Sequence, residues 1–165
     1  MATVTLKGNP VHTIGELPSV GSQAPGFELI GTDLAPKTLS DFKGSKLVLN
    51  IFPSLDTPTC AASVRKFNEL ATQLDNVKVL AVSRDLPFAH ARFCSSEGIE
   101  NVINLSDFQT CQFGKDYGVE LIDGPLKGLL ARAVVIIDEN GKVVYTQLVP
   151  EIVDEPDYED VLKHL

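Results

Sequence analysis

A chain of 165 residues is the usual size of one domain and is long enough to bury a core, and 44% hydrophobic with 22% charged residues places it with globular rather than disordered proteins. The net charge of −8 excludes a nucleic-acid binder of the ordinary basic kind, because phosphate contacts need a basic surface, and gives an anionic membrane nothing to attract. The first ten residues hold one lysine and no long apolar run, and the longest apolar run, Ala133–Ile137, is far too short to span a bilayer, so the expected location is the cytoplasm.

No repeat, low-complexity tract or linker divides residues 1–165, which read as a single domain. Residues 3–7 and 11–14 alternate apolar with polar around Gly8-Asn9 and predict an N-terminal β-hairpin. Residues 19–43 are rich in Gly, Pro and Asp and predict loops around one short strand at 27–30. Residues 46–52 are apolar apart from Lys46 and Asn50, as in a strand buried on both faces. Thr57-Pro58 then opens a helix, with Thr57 as N-cap and Pro58 at the first helical position. Val64, Phe67, Leu70 and Leu74 recur at helical spacing on its apolar face, and Asp75-Asn76 ends it. A buried strand at 77–82, a helix over Pro87–Glu97 closed by Gly98, a strand at 102–105 and a helical turn at 109–117 follow. Residues 132–137 and 142–148 flank Asp138-Glu139-Asn140-Gly141 as a second hairpin, and 157–165 predict a terminal helix. This order predicts a thioredoxin-like α/β fold, a mixed sheet flanked by helices, with the N-terminal hairpin added to it.

Three cysteines, Cys60, Cys94 and Cys111, are too few and too scattered for a disulfide-stapled secreted fold, and none forms a CxxC pair. His12, His90 and His164 have no zinc-ligand spacing. His90 reads as a surface residue of its helix. With Thr57 as the cap, Cys60 falls at the third helical position, where backbone N–H groups lack partners and the helix dipole is positive; both favour a thiolate over a thiol. Local physics leaves open whether Cys60 is a nucleophile or only a small buried hydrophobe. Arg132, leading into a buried strand, needs an anionic partner, and either a carboxylate or a thiolate would serve.

Pro53, Thr57 and Cys60 fit the PxxxTxxC motif of peroxiredoxins. The chain resembles their bacterial thiol peroxidase subgroup in GNPV at 8–11, LNIFPSLDTPTCAASVRKFN at 49–68, DLPFA at 85–89, RFC at 92–94, DGPLKGLLARAVVIIDENG at 123–141 and EPDYE at 155–159. One departure is Thr57-Pro58-Thr59 in place of the more usual Thr-Gly-Val, and proline at the first helical position is compatible with the cap. The resemblance implies that Cys60 is the peroxidatic cysteine, oxidised to a sulfenic acid. It further implies that Thr57 positions thiolate and peroxide, that Pro53 shields the site from water, and that Arg132 holds the thiolate and a peroxide oxygen. Cys94 is then the resolving cysteine, forming an intramolecular disulfide with Cys60.

A disulfide needs Cα atoms within about 7 Å, and the two cysteines lie in separate predicted helices, so at least one helix must unwind locally on oxidation. Phe88 and Phe93 are the expected anchors of the second helix in the reduced state. Cys111 has no counterpart in the pattern and reads as structural, on a short helix. The implied activity is reduction of alkyl or lipid hydroperoxides and hydrogen peroxide, without cofactor or metal, with thioredoxin as reductant and a homodimer joined through loops at 53–58 and 107–113. The rival readings are a thiol–disulfide exchange protein, against which the missing CxxC counts, and a redox-sensing interaction module.

Overall fold

The computed structural model describes residues 1–165. Strand β1 (Thr3–Leu6) pairs antiparallel with β2 (Asn9–His12), Val4 opposite Val11. The turn lies at Lys7-Gly8, one residue before the expected Gly8-Asn9, because Asn9 already pairs with Leu6. Lys7 and Gly8 both have positive φ, 50° and 84°, the requirement of a two-residue turn matched to strand twist. The hairpin is tied to the far end of the chain: Thr5 N donates to the Pro150 carbonyl at 2.8 Å, and Ile152 N to the Thr5 carbonyl at 2.8 Å. The Glu151 carboxylate accepts from Lys7 N, Gly8 N and the Thr5 hydroxyl at 2.8–3.0 Å.

The main sheet contains β3 (Glu28–Gly31), β4 (Pro36–Thr38), β5 (Lys46–Ile51), β6 (Val77–Ser83), β7 (Val102–Ser106), β8 (Ala133–Ile137) and β9 (Val143–Leu148), in the order β4-β3-β7-β6-β5-β8-β9. Strands β5, β6 and β7 are parallel, while β8, β9, β3 and β4 run antiparallel to their neighbours. The sheet is mixed, as expected. Strand β4 was not expected: it has three residues, starts on a proline and lies at the sheet edge, where proline is tolerated but gives no alternating pattern to read.

A short 3-10 helix at Leu39–Phe42 and four α-helices complete the chain: α1 (Pro58–Ala71), α2 (Pro87–Glu97), α3 (Gln112–Asp116) and α4 (Tyr158–Leu162). The two-residue side-chain period divides the core in two. Leu47, Leu49, Ile51, Leu80, Val82, Ala133 and Val135 face one cluster, with Phe113 and Tyr117. Val48, Val79, Ala81, Val102, Val134 and Ile136 face the other, with Cys60, Val64 and Phe67 of α1 and Val161 of α4. Helix α1 ends before Leu74, as the Thr72 hydroxyl bonds the Glu69 carbonyl at 2.7 Å and closes the last turn.

Helix α2 is held differently from expectation. Phe88 is 67% exposed and anchors nothing, while Phe93 is half-buried against the α1-side cluster. The fully buried residues of α2 are Pro87 and His90. Pro87, His90 and Cys94 share one face at i, i+3 and i+7, and Phe88 lies about 100° round from Pro87. His90 is therefore an interior residue, 1% exposed, not the surface residue expected. No helix is long and apolar enough to cross a membrane.

Candidate active site

Strand β5 delivers the chain into a loop whose first residues, Phe52 and Pro53, are buried. Asp85, just after β6, clasps this loop: Ser54 Oγ donates to its Oδ1 at 2.9 Å and Leu55 N to its Oδ2 at 2.8 Å. Thr57 follows in extended backbone (φ −92°, ψ 143°) and caps α1, its Oγ1 accepting from Cys60 N at 3.2 Å; Pro58 occupies the first helical position. The Thr57 hydroxyl donates to the Ser54 carbonyl at 3.1 Å, which fixes its direction. Cap, proline and the position of Cys60 in the first turn match the sequence expectation. Removing the cap by Thr57→Val is expected to destabilise the fold by about 1 kcal/mol, lowering Tm by roughly 3 °C in a thermal melt.

Cys60 is fully buried, and the guanidinium of Arg132 lies against it. Strand alternation explains this. Ala133 and Val135 face the far cluster, so Arg132, Val134 and Ile136 point to the α1 side of the sheet. Arg132 Nη2 donates to Cys60 Sγ at 3.1 Å, and Nε donates to the Ile152 carbonyl at 2.8 Å. Nη1 has no partner, although the side chain is 1% exposed. No carboxylate lies within ion-pair distance of this arginine. A buried cation without a carboxylate is costly unless something anionic meets it, and the sulfur is the atom in place. A cavity of about 520 Å³ opens here, lined by Thr57, Arg132, Lys7 and Asn9 among its polar residues and by Pro53, Leu126, Ile152 and Val153.

Sequence reasoning gave no role to Asn50 and Ser63. Ser63 Oγ donates to the Cys60 carbonyl at 2.8 Å and accepts from Asn50 Nδ2 at 3.2 Å, all buried, so the first turn of α1 is braced from the sheet. The signal was present: Asn50 is the polar interruption of the apolar β5 run. Asp85 was likewise quoted without a role, because only the fold shows it reaching back to residue 54.

The structure brings Pro53, Thr57, Cys60 and Arg132 to one place and leaves Cys94 outside it. All three cysteines are unbridged. Cys94 is half-buried on α2, where burial pushes its thiol pKa up and a hydrogen bond from Asn104 partly opposes this. Cys111 does not sit on a helix as expected; it precedes α3 in the left-handed conformation, φ 58°. Its carbonyl accepts from Arg84 Nη2 at 2.9 Å, and Arg84 also pairs with Asp107 at 3.2 Å and Glu120 at 2.7 Å.

Comparison with known proteins finds relatives over the whole chain. The Redoxin family model matches residues 19–162. A thiol peroxidase of Corynebacterium glutamicum is 57% identical over all of this chain and 99% of the relative. One of Mycobacterium tuberculosis is 55% identical over the same shares. Among solved structures, a peroxiredoxin-like protein from Aquifex aeolicus superposes with TM-score 0.93 at 48% identity, covering 99% of this chain and 95% of the other. A thiol peroxidase from Chromobacterium violaceum shares the fold at TM-score 0.91 and 23% identity, over 98% of this chain and 93% of the other. With the relatives aligned over its full length and a buried cysteine in the first turn of α1 beside an arginine, the chain belongs to the redoxin family, as a peroxiredoxin-type thiol peroxidase.

Proposed function

We propose that Cys60 is the peroxidatic residue and Cys94 the resolving one, within a single working domain of residues 1–165. The carrying observation is the Arg132 guanidinium, with one nitrogen on Cys60 Sγ at 3.1 Å and another buried, unpartnered and available beside the cavity. The Cys60 thiolate attacks one oxygen of ROOH; an S–O bond forms, the O–O bond breaks, and the departing alkoxide takes a proton to leave as ROH. Arg132 Nη1 stabilises charge developing on the peroxide oxygens, the Thr57 hydroxyl positions the peroxide by turning its proton from the Ser54 carbonyl to a peroxide oxygen, and buried Pro53 keeps water from the sulfur. The Cys94 thiolate then attacks the Cys60 sulfenic acid; an S–S bond forms, and hydroxide leaves with a proton as water. The sulfur itself cycles on the reversible first step of the oxidation ladder.

The apolar walls from Leu126, Ile152 and Val153 support alkyl or lipid hydroperoxides as substrates alongside hydrogen peroxide. A dithiol protein of thioredoxin type is the proposed reductant, in the cytoplasm. A homodimer formed through the loops at 53–58 and 107–113 is supported by exposed Leu86, Phe88 and Phe108. These share one rim, where Ser106 Oγ links the Asp85 carbonyl to Phe108 N.

Cys94→Ser tests the two-cysteine cycle. With a thioredoxin system and cumene hydroperoxide, it is expected to consume about one equivalent of peroxide and then stall as the Cys60 sulfenic acid. Sustained wild-type turnover in Cys94→Ser would reject Cys94 as the resolving residue.

A further inference from the structure

Helix α2 has little apolar hold on the sheet. Of its eleven residues the fully buried ones are Pro87 and His90, and Phe88 points to solvent. What occupies the space beneath it is polar. Alternation places Ser83 of β6 and Asn104 of β7 on the same face as Val79, Ala81 and Val102, directly under the helix. His90 and Cys94, one turn apart, meet them there.

These groups form one continuous chain of hydrogen bonds. Asn104 Nδ2 donates to Cys94 Sγ at 2.7 Å, and His90 Nδ1 donates to Asn104 Oδ1 at 3.2 Å. His90 Nε2 lies 3.1 Å from Ser83 Oγ, whose proton it shares with Asp85 Oδ2 at 2.6 Å. Asp85 in turn grips Ser54 and Leu55 in the loop leading to Cys60. Ser83, His90 and Asn104 are all buried, so each bond broken without replacement leaves a desolvated polar atom unsatisfied.

We propose that His90 and Asn104 are positioning residues for the resolving step: they clamp the Cys94 thiol and the inner face of α2 to the sheet, and so set how often that thiol is released toward Cys60. The proposal rests on the reading of Cys94 as the resolving cysteine. Release breaks the Asn104–Cys94 bond first, and withdrawal of the turn between residues 90 and 94 breaks the two His90 bonds as well. The chemistry that follows is the balanced step already given, Cys60–SOH plus Cys94–SH giving the disulfide and water. The clamp determines when it starts.

Protonation of His90 gives the clamp a pH dependence. Burial holds the ring pKa below its usual value in the seated helix, with Asn104 and Asp85 opposing that shift. Asp85, beyond Ser83, and Cys94, beyond Asn104, are the titratable groups facing the ring. The ion pairs Asp33–Lys37, Asp56–Arg92 and Arg65–Glu97 lie on the outer surfaces around α2. The released helix, with an ordinary imidazole, binds a proton more readily than the seated one. Acid below about pH 6.5 therefore favours release.

The chain has no tryptophan, so the test uses rapid quenching, thiol alkylation and mass spectrometry after one equivalent of cumene hydroperoxide. Formation of the Cys60 sulfenic acid reports an intact fold, and its decay into the Cys60–Cys94 disulfide reports resolution. Asn104→Ala is expected to resolve roughly tenfold faster than wild type, by removing the donor to Cys94 and the partner of His90. His90→Gln keeps hydrogen-bonding capacity and loses the titration. The ratio of wild-type to His90→Gln resolution rates is expected to rise up to about tenfold between about pH 7.5 and about pH 5.5, ionisation of Cys94 cancelling in the ratio. Unchanged or slower resolution in Asn104→Ala, or a flat ratio, overturns the proposal while leaving Cys94 as resolver. Absence of the disulfide in wild type removes both readings together. Should Asn104→Ala fail to oxidise at Cys60, the His90→Gln ratio decides alone.

Discussion

Replacing Cys60 by serine is expected to abolish peroxide turnover, with kcat/KM falling by more than about 10⁴-fold. Serine is nearly isosteric with cysteine and can accept the same hydrogen bond from Arg132, so the buried pocket and the α1 cap have no reason to change. The loss is chemical. A serine hydroxyl stays protonated beside a guanidinium that a thiolate would satisfy, and oxygen has no counterpart to the sulfenic acid that stores the peroxide's oxygen. A coupled assay with cumene hydroperoxide and a thioredoxin system measures turnover, and a thermal melt measures the fold. A variant that retains wild-type turnover would move the nucleophile to Cys94 or Cys111. A variant that loses both turnover and its melting transition would trace the effect to folding.

The second large effect is at Arg132. Arg132→Met fills a similar volume with an unbranched apolar chain and removes the donors to Cys60 Sγ, to the Ile152 carbonyl and into the cavity. The rate of Cys60 oxidation by peroxide is expected to fall by about 10²–10³-fold, the cost of losing a preorganised donor where charge develops. Stability should move far less: the Ile152 carbonyl loses its donor at a cost of about 1 kcal/mol, while the exchange also removes the buried, unpartnered Nη1. That divergence is the diagnostic: oxidation kinetics collapse while Tm shifts by a few degrees at most. Arg132→Lys retains the charge but cannot reach sulfur, the Ile152 carbonyl and substrate in one plane, and should recover only part of the rate. If Arg132→Met oxidised at the wild-type rate, the guanidinium would be a structural plug, and the proposed transition-state role would fall.

Much of the site could be read locally. Thr57-Pro58 announces a helix start, and counting three positions puts Cys60 at its exposed amides. The buried strands declare themselves by β-branched runs. What escaped reading was non-local. Ser83, Asn104 and His90 are ordinary polar residues in sequence, and only the parallel register of β6 with β7 shows that two of them share a face. His90 was misjudged for that reason: a lone histidine on a helix of mixed polarity shows no burial signal until the sheet beneath it supplies partners. Phe88 failed in the opposite sense, since an aromatic was read as an anchor when its helical angle points it outward. The left-handed Cys111 is set by a neighbour distant in sequence, Arg84, whereas the edge strand β4 pairs with nearby β3 and was hidden by its brevity and its opening proline.

The hairpin of β1 and β2 bears on how the site is held together. Thr5 and Pro150, 145 residues apart, are joined directly, and the neighbouring Ile152 carbonyl steadies Arg132. Ile152 is itself held by the hairpin, its N donating to the Thr5 carbonyl at 2.8 Å. The segment that aims the guanidinium at Cys60 is thus anchored on β1, so loosening of the hairpin from residues 150–152 would free the arginine without any change at the cysteine or its helix.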